Sequence, residues 1–394
     1  MNDRLPILDH SKLQRELVAH DRLSEIRNLL EKEKCFKMIC GAGNEDAAMV
    51  KKLALIYTLA GAKILDVSAN LLVIKAAVVG IDEAFRMSKK FKIPLKIRPY
   101  IMVSVGMPGD HHVRKSYIDP YKCISCDLCA PVCPTKAIPY DFVQRLRFFK
   151  DANGSFEEED QNKEIVIRDL CIGCGKCSNI CPKSDIISYR HNEAALRDLL
   201  PKCLKAGAEM FELHAAVDDD EITMREWKII NEINSYNLNF MCLDRLNLGN
   251  LNLEERIENV KKMSNNRFAI QADGYPMSGG ENDFNTTLQA IACADVINKK
   301  FNMRKTKDGR KKYRPHGHRK NVYIVLSGGT NQFTKDLADS TGVRCNGVAI
   351  GTYARKIVEK YVENKNFWND KKEIYQAYME AKKLVNSNIG EMNE

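Results

Sequence analysis

Eight of the fourteen cysteines in this 394-residue chain fall into two copies of one spacing, and no other feature restricts the fold as tightly. Cys123, Cys126, Cys129 and Cys133, followed by Pro134, read C-x2-C-x2-C-x3-C-P. Cys171, Cys174, Cys177 and Cys181, followed by Pro182, read the same. Three thiols three residues apart wrap one cubane cluster, while the fourth, directed away by the proline after it, reaches a second one. By that rule Cys123, Cys126, Cys129 and Cys181 hold one [4Fe-4S] cluster, and Cys171, Cys174, Cys177 and Cys133 hold another.

The alternative for such thiols is zinc. A tetrahedral ion draws its ligands from two directions, so zinc modules present two Cys pairs separated by a dozen or more residues. Three consecutive cysteines, twice over, favour the bacterial-type ferredoxin arrangement over zinc and over disulfides. Gly173 and Gly175, between ligands, suit a loop that turns its amides toward sulfur. Oxygen-sensitive clusters and unpaired thiols point to the reducing cytoplasm. Cys35, Cys40, Cys203, Cys242, Cys293 and Cys345 lie outside the motif, most among apolar neighbours, and read as small buried hydrophobes.

The rest of the chain alternates strands and helices. Residues 11–34 repeat apolar positions at helical spacing (Leu13, Leu17, Leu23, Ile26, Leu29, Leu30) and form a leading helix packed on the body, residues 1–34 in all. Then CFKMICGA, a helix from Asp46 to Leu59 stopped at Gly61, and KILDVSA follow the cadence of a βαβ unit, which makes a parallel sheet. Further strands are PLKIRPYIMVSV, EMFELHA, NFMCLD, RFAIQAD, VYIVLSGG and GVAIGT, with helices near 71–91, 192–204, 221–234, 254–263, 284–300, 332–341 and 353–364. Eight alternating strands predict an α/β fold, a (β/α)8 TIM-like barrel over 35–106 and 191–365. The ferredoxin-like two-cluster segment, 107–190, is an insertion after the third strand, on the C-terminal rim where this fold carries its active sites. Residues 151–164 are an exposed loop inside it, and 366–394 a helical tail.

That rim offers candidate ligands. LSGGTN and AIGTYARK end the last two strands, each ahead of a helix, so Ser327, Gly328, Gly329, Gly351 and Thr352 are placed to hold a phosphate of FMN or of another phosphorylated small molecule. The alternative is that these glycines only permit tight turns. Asp66, Asp244 and Gln271 end other strands; Lys96 and Arg98 share one face of the third, and Glu212 and His214 one face of the fourth. His214, Asp273 and Arg98 are the catalytic candidates, His214 foremost as an acid/base, although any one of these groups also fits a structural salt bridge. DGYPMSGG, 273–280, is glycine-rich enough to approach a ligand closely.

Composition adds exclusions. Hydrophobic residues make up 44% and charged residues 29%, no run of eighteen apolar residues exists, and the first residues lack an apolar signal core, which argues against a membrane span or secretion. The net charge of +9 gathers in RKTKDGRKKYRPHGHRK, 304–320, read as a solvated, flexible insertion. Nucleic acid is therefore not the favoured partner; a redox partner protein or small electron carrier is.

LALIYTLAGAKILDVSA, the paired cysteine motifs, DGYPMSGG, LSGGTN and GVAIGTYARK, in that order from about Cys35 to Val358, resemble the cyanobacterial light-dependent period iron-sulfur protein family (LdpA). The resemblance implies a cytosolic redox protein with two clusters on the eight cysteines above, relaying redox state to the circadian clock in cyanobacteria. It implies no catalytic residue. Two functions follow: a redox sensor or electron relay, and an iron-sulfur oxidoreductase feeding electrons to a phosphate-anchored cofactor or substrate in the barrel mouth.

Overall fold

The computed structural model describes residues 10–41, 43–44, 46–106, 115–140, 165–167, 170–171, 176–183, 185–190, 196–216, 219–274, 283–315, 317–318 and 321–390. Along the chain, β1 (Cys35–Gly41), β2 (Ile64–Ser68) and β3 (Tyr100–Gly106) precede a separate antiparallel pair, β4 (Lys115–Ile118) and β5 (Ile187–Arg190). Next come β6 (Met210–His214), β7 (Asn239–Asp244), β8 (Phe268–Asp273), a second antiparallel pair β9 (Met303–Lys305) and β10 (Lys311–Tyr313), then β11 (Tyr323–Ser327) and β12 (Gly347–Ile350). β1, β2, β3, β6, β7, β8, β11 and β12 pair in that order, all parallel, and β12 returns to β1 to close the eight-stranded barrel.

Local signals account for the helices between strands. Asp46 caps the helix Ala47–Ala60 by accepting from the Met49 amide, and Gly61, at φ 97°, ends it in the left-handed region that glycine tolerates. Asn70 and Asp219 cap the helices Leu71–Phe91 and Asp220–Ile233 in the same way. Alternate strand residues point outward: Phe36, Met38 and Cys40 of β1, and Val103 of β3, join the helices in one apolar layer. The segment Arg245–Met263 is broken by a kink at Gly249, whose φ 67° and ψ 172° are not helical, so a short helical stretch precedes the main helix that the sequence pattern suggested.

The leading helix, His10–Glu31, closes the N-terminal end of the barrel. Leu23, Ile26, Leu29 and Leu30 are buried against inward residues of the strands, among them Ile64, Tyr100, Met210, Phe240 and Val325. Burying four such side chains is worth roughly 6–12 kcal/mol before conformational entropy is deducted. Arg22 fixes its position: the guanidinium donates to both Glu209 oxygens at 2.8 and 3.0 Å and to the Arg98 carbonyl at 2.9 Å, and it lies 3.5 Å above the Tyr100 ring. Asn346 donates to the Leu30 carbonyl from the other side.

Two expectations are corrected. β3 starts at Tyr100, six residues after Pro94, so Lys96 and Arg98 lie in the preceding connection and not on a strand face. Arg98 therefore stands at the closed end, paired with Asp82 at 2.7 Å and half exposed, away from the mouth. The basic block is exposed along most of its described residues, as a solvated insertion is, but it carries regular structure where a flexible loop was expected. β9 and β10 make a hairpin, Arg344 stacks 4.8 Å from the Tyr313 ring and its amide donates to the Tyr313 hydroxyl, and Arg314 reaches the Phe301 carbonyl.

Candidate metal centre and barrel mouth

The cysteine segment forms its own small core. Cys123, Cys129, Cys171 and Cys177 are buried with Ile118, Ala137, Ile138, Ile165, Val166, Ile186 and Ile187, and Cys133 and Cys181 border them. Cys123, Cys126, Cys129 and Cys181 line one cavity, closed by Ile118, Ile124, Leu128, Ile186 and Ile187. Three sulfurs from one motif thus meet the fourth from the other. Cys174, Gly173 and Gly175 lie outside the described residues, so of the other four thiols Cys133, Cys171 and Cys177 are placed.

The local backbone explains how consecutive cysteines face inward. Ser125 and Asp127, between ligands, adopt positive φ of 51° and 64°, and Lys136, just past Cys133, has φ 54°, so the chain turns within and after the motif. In the first motif polar residues take these turns; Gly173 and Gly175, from which the same role was expected in the second motif, lie outside the described residues. Amides are aimed at sulfur: from the turns Ser125 N donates to Cys123 Sγ at 3.4 Å and Ala137 N to Cys133 Sγ at 3.2 Å, and from β4 Ser116 N donates to Cys171 Sγ at 3.4 Å, with Ser116 Oγ 3.3 Å from that sulfur. Burial, followed by the neighbouring Cys123, pushes the Cys129 thiol up to about 12, so an isolated thiolate is disfavoured there and one sharing its charge with iron is suited. No disulfide joins the described cysteines. Apolar walls, four convergent thiols and N-H donors to sulfur fit a [4Fe-4S] group.

The barrel interior is divided by height. Its N-terminal half is apolar, whereas the inward residues further along the strands are Lys37 of β1, Asp66 of β2, Ser104 of β3, Glu212 and His214 of β6, Cys242 of β7, and Gln271 and Asp273 of β8. All are buried. Lys37 is the hub: its ammonium pairs with Asp66 at 2.9 Å and with Glu212, donates to Gln271 Oε1 at 2.7 Å, and lies 5.6 Å from the Phe240 ring. Ser104 donates to Asp66 at 2.6 Å; Gln271 Nε2 donates to Glu212 at 3.1 Å and to Cys242 Sγ at 3.4 Å. His214 Nε2 lies 3.0 Å from Glu212 Oε1, and the Cys242 thiol donates to Asp273 Oδ2 at 3.3 Å.

The charges in this network set one another. Burial works against the Lys37 ammonium, but Asp66 and Glu212 outweigh it and raise the lysine above its ordinary range. Burial would also raise Glu212; Lys37 and then His214 overcome that and hold it at about 2. For Asp66 burial wins over Lys37, and its pKa is raised. Lys37 escaped the sequence reading because it sits in an apolar run. Period-two alternation with Cys35 and Ile39 was the available signal, since it places a lysine on the face that turns inward.

Of the other expected ligands, Asp244 is taken up as the cap of the following helix, accepting from Asn247 N at 2.7 Å. Gly328 and Gly329 have φ of 78° and 64°, but the next helix, Thr334–Ser340, begins five residues after Gly329, so their amides do not form its N-terminus. A Cβ at Gly328 would overlap Asp273 Oδ1 and Gly274, so that glycine is required for close packing of β11 on β8. Ser327 accepts from Gly274 N through its carbonyl at 2.9 Å. Gly351 and Thr352, by contrast, directly open the helix Thr352–Val362, where Arg355 donates to Thr352 Oγ1 at 3.3 Å and to the Ile39 carbonyl at 2.8 Å. Residues 275–280 of the glycine-rich loop lie outside the described residues.

A parallel eight-stranded barrel carrying a ferredoxin-type cysteine segment defines an iron-sulfur redox protein, and the comparisons agree. Residues 122–184 match the 4Fe-4S double cluster binding domain. Over 359 residues, 87% of each chain, the protein is 28% identical to light dependent period A of Synechococcus elongatus. It is also 32% identical over 82 residues to ferredoxin-3 of a Nostoc species, covering 19% of this chain and 74% of that one. A 94-residue stretch is 26% identical to NAD(P)H-quinone oxidoreductase subunit I of Gloeobacter violaceus, 23% of this chain and 40% of that subunit. No described helix is long and apolar enough to cross a membrane.

Proposed function

We propose that the chain is an electron relay or redox sensor that holds two [4Fe-4S] clusters, one on Cys123, Cys126, Cys129 and Cys181 and one on Cys171, Cys174, Cys177 and Cys133. When bound, such clusters accept and release single electrons at potentials set by hydrogen bonding and exposure. The observation that carries the reading is Cys181 lining the same cavity as the three thiols of the first motif. Ile118, Ile186 and Ile187 keep water from that cavity, and the amides of Ser125, Ala137 and Ser116 stabilise charge on sulfur. Exposed Tyr121, Ile124 and Leu128 surround the first motif and give a redox protein or small carrier an apolar approach. Anaerobic purification with electron paramagnetic resonance tests the cluster count: two interacting reduced clusters support the relay, and a single cluster refutes it. Identical partner capture by oxidised and reduced protein would remove the sensor.

A second reading, an oxidoreductase working in the barrel mouth, draws on the buried Lys37-Glu212-His214 network and on connectivity. The chain leaves β3 at Gly106 and returns to the barrel at the helix Leu196–Ala206, so the cysteine segment is strung from the C-terminal rim. The eight residues between β3 and β4 reach at most about 30 Å. His214 is the acid/base in this reading, and Gly351, Thr352 and Arg355 are the place for a phosphate group of FMN or of a substrate. Purified protein lacking flavin absorbance and any phosphate-bearing ligand would dispose of it.

A further inference from the structure

We infer that the barrel interior contains a mononuclear site for a transition-metal dication, separate from the cysteine segment, with Glu212, His214 and Cys242 as protein ligands. A carboxylate oxygen of Glu212, a ring nitrogen of His214 and Cys242 Sγ all lie within 4.8 Å of one another, and all three residues are buried. They come from adjacent strands in register: Glu212 and His214 are i and i+2 on β6, on one face, and Cys242 of β7 is the register partner of His214. A parallel barrel holds such neighbours rigidly, which is what a metal site requires.

The donor set defines the metal class. One carboxylate, one imidazole and one thiol suit zinc, or a similar borderline ion such as ferrous iron or cobalt, and not magnesium or calcium, which take oxygen. Three protein ligands leave a position open in a tetrahedral shell, the pattern of sites that bind a water or a substrate. The surroundings are those of an outer shell. Lys37 holds one carboxylate oxygen of Glu212, Gln271 Nε2 donates to both Glu212 Oε1 and Cys242 Sγ, and Asp273 accepts from the Cys242 thiol. Asp273 is thus positioned to take the proton that the thiol loses on binding metal. Two carboxylates, Asp66 and Glu212, meet the single ammonium of Lys37 beside the site.

The test uses the full chain, reconstituted anaerobically with iron and sulfide and then equilibrated with zinc in the presence of a weak chelator. We expect one zinc per chain by elemental analysis with iron content unchanged, and an X-ray absorption shell of one sulfur with nitrogen and oxygen at about 2.0–2.3 Å. Cys242→Ala should weaken zinc retention by at least about 100-fold, with iron content and circular dichroism as in the parent, whereas Cys203→Ala, a buried thiol elsewhere, should leave it intact. His214→Gln serves the same purpose if Cys242→Ala does not fold, and the absorption shell needs no variant. Absence of retained zinc, a four-sulfur shell that puts the zinc on the ferredoxin-type cysteines, or retention unaffected by both variants would overturn the site.

Discussion

Replacing Lys37 by Met tests whether the barrel interior is organised by charge. The side chains are similar in length, so the apolar stem is kept and no sizeable cavity opens. What disappears is the ammonium that Asp66 and Glu212 share, both fully buried, together with the donor to Gln271 Oε1. Among the described residues Asp66 then keeps the 2.6 Å bond from Ser104, while Glu212 keeps Gln271 and His214. Removing one partner of a buried pair costs about 3–5 kcal/mol because the other charge is left uncompensated, a large part of a total stability of about 5–15 kcal/mol. Urea unfolding followed by far-ultraviolet circular dichroism should show the midpoint fall with the slope unchanged. Adding Asp66→Asn should recover part of the loss, giving a coupling of about 1–3 kcal/mol. A single variant within about 1 kcal/mol of the parent, or a strictly additive double variant, would refute the reasoning.

Three further outcomes follow from the geometry. Cys181→Ala should abolish the same paramagnetic signal as Cys126→Ala, whereas Cys133→Ala should abolish the other; spectra that pair Cys181 with Cys171 instead would undo the crossed ligation. Gly328→Ala, at φ 78° and with its Cβ driven into Asp273 and Gly274, should lower stability by about 2 kcal/mol or more in thermal unfolding. Arg256→Met should cost about 2–3 kcal/mol by the same measurement, since the buried guanidinium donates to Asp220 Oδ1 and to the Ala215 carbonyl, each at 2.6 Å, and Met replaces neither bond.

The barrel was legible in the sequence because each strand is a short apolar run closed by a turn and answered by a helix. All eight strands proposed from that cadence appear in the sheet. The boundaries that slipped did so for local reasons. β3 seemed to begin at Pro94 because Leu95 and Ile97 alternate with basic residues as a strand would, yet residues 94–99 are connection, and Arg98 went with them to the wrong end. The phosphate reading of LSGGTN rested on glycines before a helix. What the chain needs at Gly328 is room for Asp273, a tertiary contact between β8 and β11 that no local pattern encodes. Likewise, the meeting of Cys181 with the first motif follows from spacing, but the meeting of Lys37 with Glu212, 175 positions away, follows only from closure of the sheet. The basic block looked like a loop because charge pattern is silent about Arg344, outside the block, packing on the Tyr313 ring.

The plug made by the helix His10–Glu31 turns the barrel into a cul-de-sac. With Leu23, Ile26, Leu29 and Leu30 filling one end, whatever reaches the charged interior, and whatever leaves it, must use the opposite doorway, the same doorway from which the cysteine segment is suspended. A variant that unseats the stopper, such as one lacking Arg22, would add a back entrance.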